Sequence, residues 1–491
     1  MEFSIVKFAL FAAWFLSGLY LLDKINAKPQ QWNREDETAG VLRKEFTALF
    51  FAPCILLKFY AVKLWDERLK YLFNHAKRKL KYHNITIVDS HGAIMFGGDC
   101  NNPAVDELKE QIMLAVSRRA SDIFLDPHNG EVTLRFRIDG SLVTIKNMKE
   151  SFGDNLINAI KVAAGMDITE KRRPQDGSFS AEYSGTSVAF RVATVGAFGG
   201  EKVAIRLLGT ESGPKSLEDI GFSAEQLKLL RDGLQLSSGM ILMCGGTGSG
   251  KTTTLYALID NIDFTLKNVI SIEDPVERVI PQISQMEVNS KADITFSKLL
   301  RNALRQNPDV ICLGEIRDEE TAGIASHAAQ TGHLIISTIH SNDSVDTLDR
   351  MNNLGIPLRT LAATIKIIIN QRLLRRLCEH CKKPAETIPR RWYDYFTEQQ
   401  LPMDKFCSPC GCPECNGTGY RGRVACFEIL VIDHQVRAIL EQEHTSLMQI
   451  KELVQQKSHA NSMMHHAALL AAAGETSFAE IDRVTLALGG E

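Results

Sequence analysis

The sequence predicts an α/β chain organised around a phosphate-binding parallel sheet, on three observations. Gly245-Gly246-Thr247-Gly248-Ser249-Gly250-Lys251-Thr252, followed by Thr253, fits the spacing G-x-x-x-x-G-K-[ST]. It stands between an apolar run ending at Cys244 and a helical apolar pattern beginning at Leu255, the context that this motif requires. Four short apolar runs, Met240–Met243, Val269–Ile272, Val310–Leu313 and Leu334–Ser337, recur across 215–375 in the rhythm of parallel strands and crossover helices.

The glycines let successive amides turn toward an anion, and the following helix N-terminus adds positive dipole. Lys251 is placed to reach the β/γ-phosphates and Thr252 to ligate Mg²⁺. Ligands of such sheets lie at the carboxyl ends of the strands. Polar groups gather there: Glu273-Asp274-Pro275-Val276-Glu277 after one run, Gly314-Glu315-Ile316-Arg317-Asp318 after the next, His340-Ser341-Asn342-Asp343 after the third. Hydrolysis needs one carboxylate for Mg²⁺ or its water and another to orient the attacking water. A single strand-end acid also caps helices, but three in order behind such a loop point to the chemistry.

The 491 residues provide for roughly three domains. A net charge of −3 gives no general case for nucleic-acid binding. Before the sheet, Val105–Arg119 reads as a helix, Val132–Ile138 as an alternating strand and Asp139-Gly140 as a hairpin turn. Alternation returns at Val188–Val192 and Lys202–Leu207, so 105–209 reads as an α+β subdomain. Residues 83–104 read as a linker or small extension, and 426–491 as a helical C-terminal subdomain.

Two apolar stretches open the chain, 3–22 and 46–64; a spanning helix needs about 20 apolar residues, so the first qualifies and the second is marginal. Leu69, Leu72, Phe73, Ala76 and Leu80 then line one face of a basic helix suited to an anionic leaflet. A cleaved signal peptide would carry the triphosphate site away from ATP. Residues 1–82 are therefore expected to associate with a membrane, as a helical hairpin or as one span plus an interfacial helix, with small buried core helices as the alternative.

Six of the eleven cysteines fall between Cys378 and Cys415. The pairs Cys378/Cys381 and Cys412/Cys415 suit a closed tetrahedral Zn²⁺ site within a 376–425 insertion. Cys407/Cys410 is a third pair that leaves the ligand choice open, and His380 is a possible substitute. A redox-active pair is the rival, without the βαβ context that it requires.

These motifs together resemble the type II secretion and type IV pilus assembly ATPases, a family of hexameric P-loop motors, over about residues 105–488. The matches are the loop at Gly245–Thr252, the acidic box Ile272–Glu277, Gly314–Asp318, and the histidine box from Gly332-His333-Leu334 through His340-Ser-Asn-Asp343. Arg118–Ile123 and Arg135–Gly140 match the family's N-terminal subdomain. The resemblance implies a RecA-like ATPase domain preceded by a PAS-like subdomain, acting on ATP with Mg²⁺ in a homo-hexamer. It implies a polytopic platform protein as partner at the cytoplasmic face of a bacterial inner membrane, while the net charge of −3 sets the expectation of no direct nucleic-acid contact. Glu277 would orient the attacking water, with Glu273 and Asp274 as runners-up. Glu315 would hold the Mg²⁺ shell, His333 and His340 would sense the γ-phosphate or couple it to domain motion, and Arg191 and Arg206 would serve as arginine fingers. The family's assembly and secretion branch carries a tetracysteine motif, matched by Gly411–Arg423, which the retraction members lack. The sequence departs from the family at Gly246, where proline is usual, at Asn307-Pro308-Asp309, and throughout its first ninety residues. A motor for DNA uptake or conjugative transfer and a non-hydrolysing nucleotide-binding scaffold remain the alternative functions.

Overall fold

The computed structural model describes residues 85–89, 92–97, 102–183, 186–208, 216–289, 292–442, 447–457 and 462–485. The apolar stretches and the basic helix of residues 1–82 lie outside them. Among the described residues, no helix is long and apolar enough to cross a membrane.

The first layer is an antiparallel sheet of eight strands in the order β2-β1-β6-β7-β8-β3-β4-β5. These are β1 (Thr86–Asp89), β2 (Ile94–Phe96), β3 (Ala120–His128), β4 (Glu131–Ile138), β5 (Ser141–Lys149), β6 (Gln175–Tyr183), β7 (Thr186–Ala197) and β8 (Gly200–Leu208). The helices Pro103–Ser117 and Glu150–Ala163 bury Leu108, Ile112, Leu156 and Ile160. Strict alternation on β7 buries Val188, Phe190 and Val192 and leaves Arg191 exposed; on β8 it buries Val203, Ile205 and Leu207 and leaves Arg206 exposed. Arg191 and Arg206 are cross-strand partners. Asp122 and Asp126 of β3 hold the neighbouring cations in place: Arg206 and Arg137 pair with the first, Arg135 and Lys202 with the second.

The segment 83–104, read as a linker or small extension, instead supplies β1 and β2 to this sheet and the first helical residues from Pro103. These two short strands pair with each other, and β1 joins them to the sheet through β6, some ninety residues later.

The second sheet has the order β11-β10-β12-β13-β9-β14-β17. Its strands are β9 (Gly239–Cys244), β10 (Val269–Glu273), β11 (Ser284–Glu287), β12 (Val310–Leu313), β13 (Leu334–Ile339), β14 (Ile365–Leu377) and β17 (Tyr420–Val431). All neighbours are parallel except β14 and β17. The central strands are apolar at nearly every position because both faces are covered. Met240, Leu242, Ile311 and Ile335 pack into one core, Ile241, Met243, Val310 and Ile336 into the other.

β14 and β17 also move two expected boundaries. The cysteine insertion begins inside the end of β14, and residues 426–431, read as helical, complete β17. An antiparallel partner for β14 satisfies that edge of the sheet, a pairing that no local pattern at 426–431 discloses. Within the insertion, β15 (Lys383–Pro384) pairs with β16 (Cys407–Ser408), and the helix Arg390–Glu398 buries Trp392 and Phe396 against Phe406 and Phe478.

The C-terminal helices are pinned to the sheet by Glu480, which is fully buried and accepts hydrogen bonds from Arg375 of β14 and from Arg483. Burial opposes its ionisation, but the Arg483 and Arg375 guanidiniums outweigh that and hold its carboxyl below the ordinary range. The stabilisation is therefore present above the unfolded-state value of about 4.3 and lost as pH falls through the lower folded value. Glu480→Ala leaves Arg375 without its carboxylate and is expected to cost about 3–5 kcal/mol near neutral pH, read by thermal or chemical unfolding. The gap to the parent chain should narrow below about pH 4.

Candidate active site and metal cluster

The loop leaves β9 at Cys244 and enters the helix Lys251–Asp260. Gly245 has φ 139°, and a Cβ there would stand 2.4 Å from the carbonyl oxygen of Gln371 on β14. Gly250, the N-cap, has φ 87°, and its Cβ would meet the Gln371 amide nitrogen at 2.8 Å. Gly245 therefore excludes a side chain on conformation and on space, and Gly250 on conformation. Lys251 Nζ donates to the carbonyl oxygens of Gly245 (2.8 Å) and Gly246 (3.2 Å). Burial holds its ammonium below the ordinary value; Glu315 opposes this and Arg372 adds to it. Ser249 Oγ is buried in the loop without a hydrogen-bond partner. A buried orphan hydroxyl, left-handed glycines and a lysine over the loop form a donor set that fits the phosphates of a nucleotide.

β13 lies between β9 and β12, so the carboxyl ends of three strands face the loop. Glu315 follows β12, and its carboxylate contacts Arg317 and stands 3.5 Å from His340 Nε2. Burial and the nearby Lys251 charge hold His340 below the ordinary imidazole range, so it is neutral near pH 7. Arg317 also reaches Asp274, 3.6 Å away. Lys251, Glu315, His340 and Asp274 thus share one end of the sheet.

Of the acidic box, Glu273 and Glu277 have opposite surroundings. Glu273 is buried and satisfied: it accepts from Tyr256 Oη, Ser271 Oγ (2.7 Å) and Gln285 Nε2 (3.0 Å). Those bonds engage both its oxygens and fix the carboxylate among the protein's own donors. Glu277 is exposed at the residue level, yet crowding around its carboxyl raises it above the ordinary range, and Glu273 adds to that. The positive charges of Arg191 and Arg206 pull it the other way. The positive charge of the two arginines of the antiparallel sheet is thereby felt at the acidic-box glutamate of the same chain.

Tyr256, an apolar-face position in the sequence pattern, joins these parts. Its hydroxyl donates to Glu273 and accepts from the amides of Glu277 (3.2 Å) and Arg278 (3.0 Å). Arg278 stacks on its ring and pairs with Asp260. Gln371 is the second such residue, taking a hydrogen bond from Thr254 Oγ1 (2.7 Å) while backing Gly245. Neither carries a motif; only their place beside the loop gives them a role.

His333 is not brought to this site. It precedes β13, where its carbonyl accepts from Gly239 and its ring contacts the Ala328 carbonyl (3.1 Å). The whole length of β13 separates it from His340, roughly 20 Å along the strand. The motif spacing does not reveal that a six-residue strand spans the sheet between its two histidines.

The Sγ atoms of Cys378, Cys381, Cys412 and Cys415 lie within 4.8 Å of one another, with Cys378–Cys412 and Cys381–Cys415 at 3.8 Å and Cys412–Cys415 at 3.7 Å. Tetrahedral thiolates at 2.3 Å from zinc would be separated by about 3.8 Å. The amides of Gly411, Cys412 and Gly419 donate to these sulfurs at 3.3, 3.1 and 3.2 Å, a second shell suited to thiolates. These four residues could hold a metal ion. Cys410 is exposed and Cys407 Sγ faces the Lys405 carbonyl, so neither joins the cluster.

Gly245→Ala should abolish the loop geometry, since an alanine there would collide with the Gln371 backbone. The expected result is loss of nucleotide binding by about tenfold or more in a fluorescent-nucleotide titration, with Gly248→Ala milder because its φ of 75° strains an alanine but no atom lies within 4 Å of its Cβ position.

Residues 99–483 match the family model described as Type II/IV secretion system protein. The chain is 37% identical over 389 residues to the putative type II secretion system protein E of Escherichia coli K12, covering 79% of this chain and 78% of that one. It is 38% identical over 388 residues to the type IV pilus assembly ATPase PilB of Pseudomonas aeruginosa, covering 78% and 68%. Among solved structures, the pilus retraction motor PilT with bound ADP matches at TM-score 0.51 and 26% identity, covering 76% of this chain and 96% of that one. The Legionella pneumophila ATPase DotB matches in fold at TM-score 0.58 and 21% identity, covering 80% and 98%. With the loop, the strand-end acids and the cysteine cluster in the order its sequence predicts, the chain belongs to the type II/IV secretion system protein family.

Proposed function

We propose that this chain is the ATPase motor of a type II secretion or type IV pilus assembly machine. The observation that carries the reading is the gathering of Lys251, Glu315 and His340 at the loop, with Glu277 answered by Arg191 and Arg206 from the other sheet. The loop amides and Lys251 bind the phosphates, and Ser249 offers its free hydroxyl. Thr252 and Glu315 would hold Mg²⁺, which offsets phosphate charge when bound. Glu277, raised above the ordinary carboxylate range, is the group that orients and accepts a proton from water once ionised. Arg191 and Arg206 supply positive charge to the transition state, worth roughly 10³–10⁵ in rate where such fingers operate.

The N-terminal sheet is then the PAS-like subdomain of the motor, and its closing on the ATPase sheet is the stroke. The working form is a homo-hexamer that drives a polytopic platform protein at the cytoplasmic face of the inner membrane, with residues 1–82 as the membrane-associated part. Zinc in the cluster Cys378, Cys381, Cys412 and Cys415 closes the insertion, and by family resemblance favours assembly or secretion over retraction. The net charge of −3 supports no direct nucleic-acid contact.

Phosphate release from Mg·ATP tests the chemistry. Lys251→Ala, Glu315→Gln and Glu277→Gln should each lower turnover by about a hundredfold or more, whereas Glu273→Gln should act mainly on stability. Undiminished turnover in Lys251→Ala and Glu315→Gln would remove the assignment. For the cluster, elemental analysis should find about one zinc per chain, and Cys412→Ser should lose it with a lowered unfolding midpoint. Zinc retained in that variant, or displaced by Cys410→Ser, would place the site elsewhere.

A further inference from the structure

A second cation stands at the same end of the phosphate loop as Lys251. β14 runs parallel to β9 with Asn370 opposite Cys244, so Gln371 and Arg372 continue past the end of β9 alongside the loop. Gln371 backs Gly245 and Gly250, and Arg372 comes next. One terminal nitrogen of its guanidinium, Nη1, lies 3.1 Å from where a Cβ on Gly246 would stand. The other, Nη2, donates to the carbonyl oxygen of Asn342 at 2.9 Å. Its Nε is buried and bonds to nothing. Among the described residues, no carboxylate forms an ion pair with Arg372.

Lys251 Nζ is tied to the carbonyls of Gly245 and Gly246, so the two cations meet at Gly246 with no carboxylate paired to Arg372 there. Like charges held this close repel in a partly buried site, and an anion between them reverses the sign. A guanidinium presents five donors in a fixed fork that suits phosphate oxygens, and here one is committed to Asn342. The lysine of such a loop marks the β/γ end of the nucleotide. Arg372 stands at that end, and its bond to Asn342 ties it to the turn two residues beyond His340.

We propose that Arg372 is a second phosphate-binding cation of this site, taking an oxygen at the β/γ end of the nucleotide from the β14 side and linking it to the Asn342 turn. The inference rests on the reading of the loop as a nucleoside triphosphate site. It adds a contact that comes from the loop's own sheet, on the side away from β13, and that is independent of the arginines of the antiparallel sheet.

Equilibrium titrations of the full chain with fluorescent mant-ATP and mant-ADP, in the presence of Mg²⁺, test it on the parent chain, Arg372→Ala and Arg372→Lys. Arg372→Ala should weaken mant-ATP binding by about tenfold or more, the loss of one charged hydrogen bond to phosphate. Mant-ADP should be weakened less, and Arg372→Lys should recover part of the loss. Unfolding midpoints without nucleotide should remain close to that of the parent. Parent-like affinity for both nucleotides in Arg372→Ala would overturn the proposal. So would equal weakness of the alanine and lysine variants with matching falls in unfolding midpoint, since Arg372 would then only brace the Asn342 turn. A parent chain that binds neither nucleotide would instead overturn the triphosphate reading, and this inference with it.

Discussion

β9 is hydrogen-bonded in parallel to β13 on one side and β14 on the other, and the site depends on that pairing. Parallel neighbours end at the same edge, so whatever follows each strand is delivered to the same place. The loop follows β9, His340 follows β13, Glu315 follows β12 one strand further, and the acidic box follows β10. β14 continues past that edge: the Gln371 backbone leaves no room for a side chain at Gly245, and Arg372 stands beside Gly246.

Within that edge the polar groups are fixed by a few shared hydrogen-bonding atoms. The Tyr256 hydroxyl serves one carboxylate and two amides, so the helix behind the loop and the turn bearing Glu277 are joined through one atom. Glu273 is held by this arrangement, whereas the carboxylate of Glu277, four residues on, takes no part in it. The distinction is one of environment and not of residue type: both are glutamates of the same box, one held by three donors and one crowded with no donor on its carboxylate among the described residues. Arg317 performs a comparable service on the neighbouring strand, joining Glu315 to Asp274 across the gap between β12 and β10.

The antiparallel sheet contributes through simple alternation. Phe190 and Val192 on β7, and Ile205 and Leu207 on β8, must face the core, which turns Arg191 and Arg206 to the other face as neighbours. Two guanidiniums side by side repel, and Asp122 beneath Arg206 offsets part of that. What remains acts on Glu277. A motion that separates the two sheets would therefore remove positive charge from the acidic box, which is a physical route from nucleotide state to domain position.

The sequence alone determined the parts whose chemistry is local. The glycine loop with its lysine, the apolar runs of a sheet buried on both faces, the strand-end acids and the paired cysteines each announce themselves within a few residues. Alternation alone also sent Arg191 and Arg206 to one face. Tertiary structure decided what depends on partners distant in the chain. It made Glu273 an anchor, because Tyr256 and Gln285 reach it only after folding. It set His333 at the far edge, because β13 spans the sheet between the two histidines. It chose Cys412 and Cys415 over Cys407 and Cys410, because four sulfurs must meet at tetrahedral spacing. It also enrolled β1, β2 and β17 in sheets and gave Gln371 and Arg372 their places by the loop. Local pattern reports what a residue can do; which groups reach it, and whether any of its bonding capacity remains free, is settled only when the strands lie side by side.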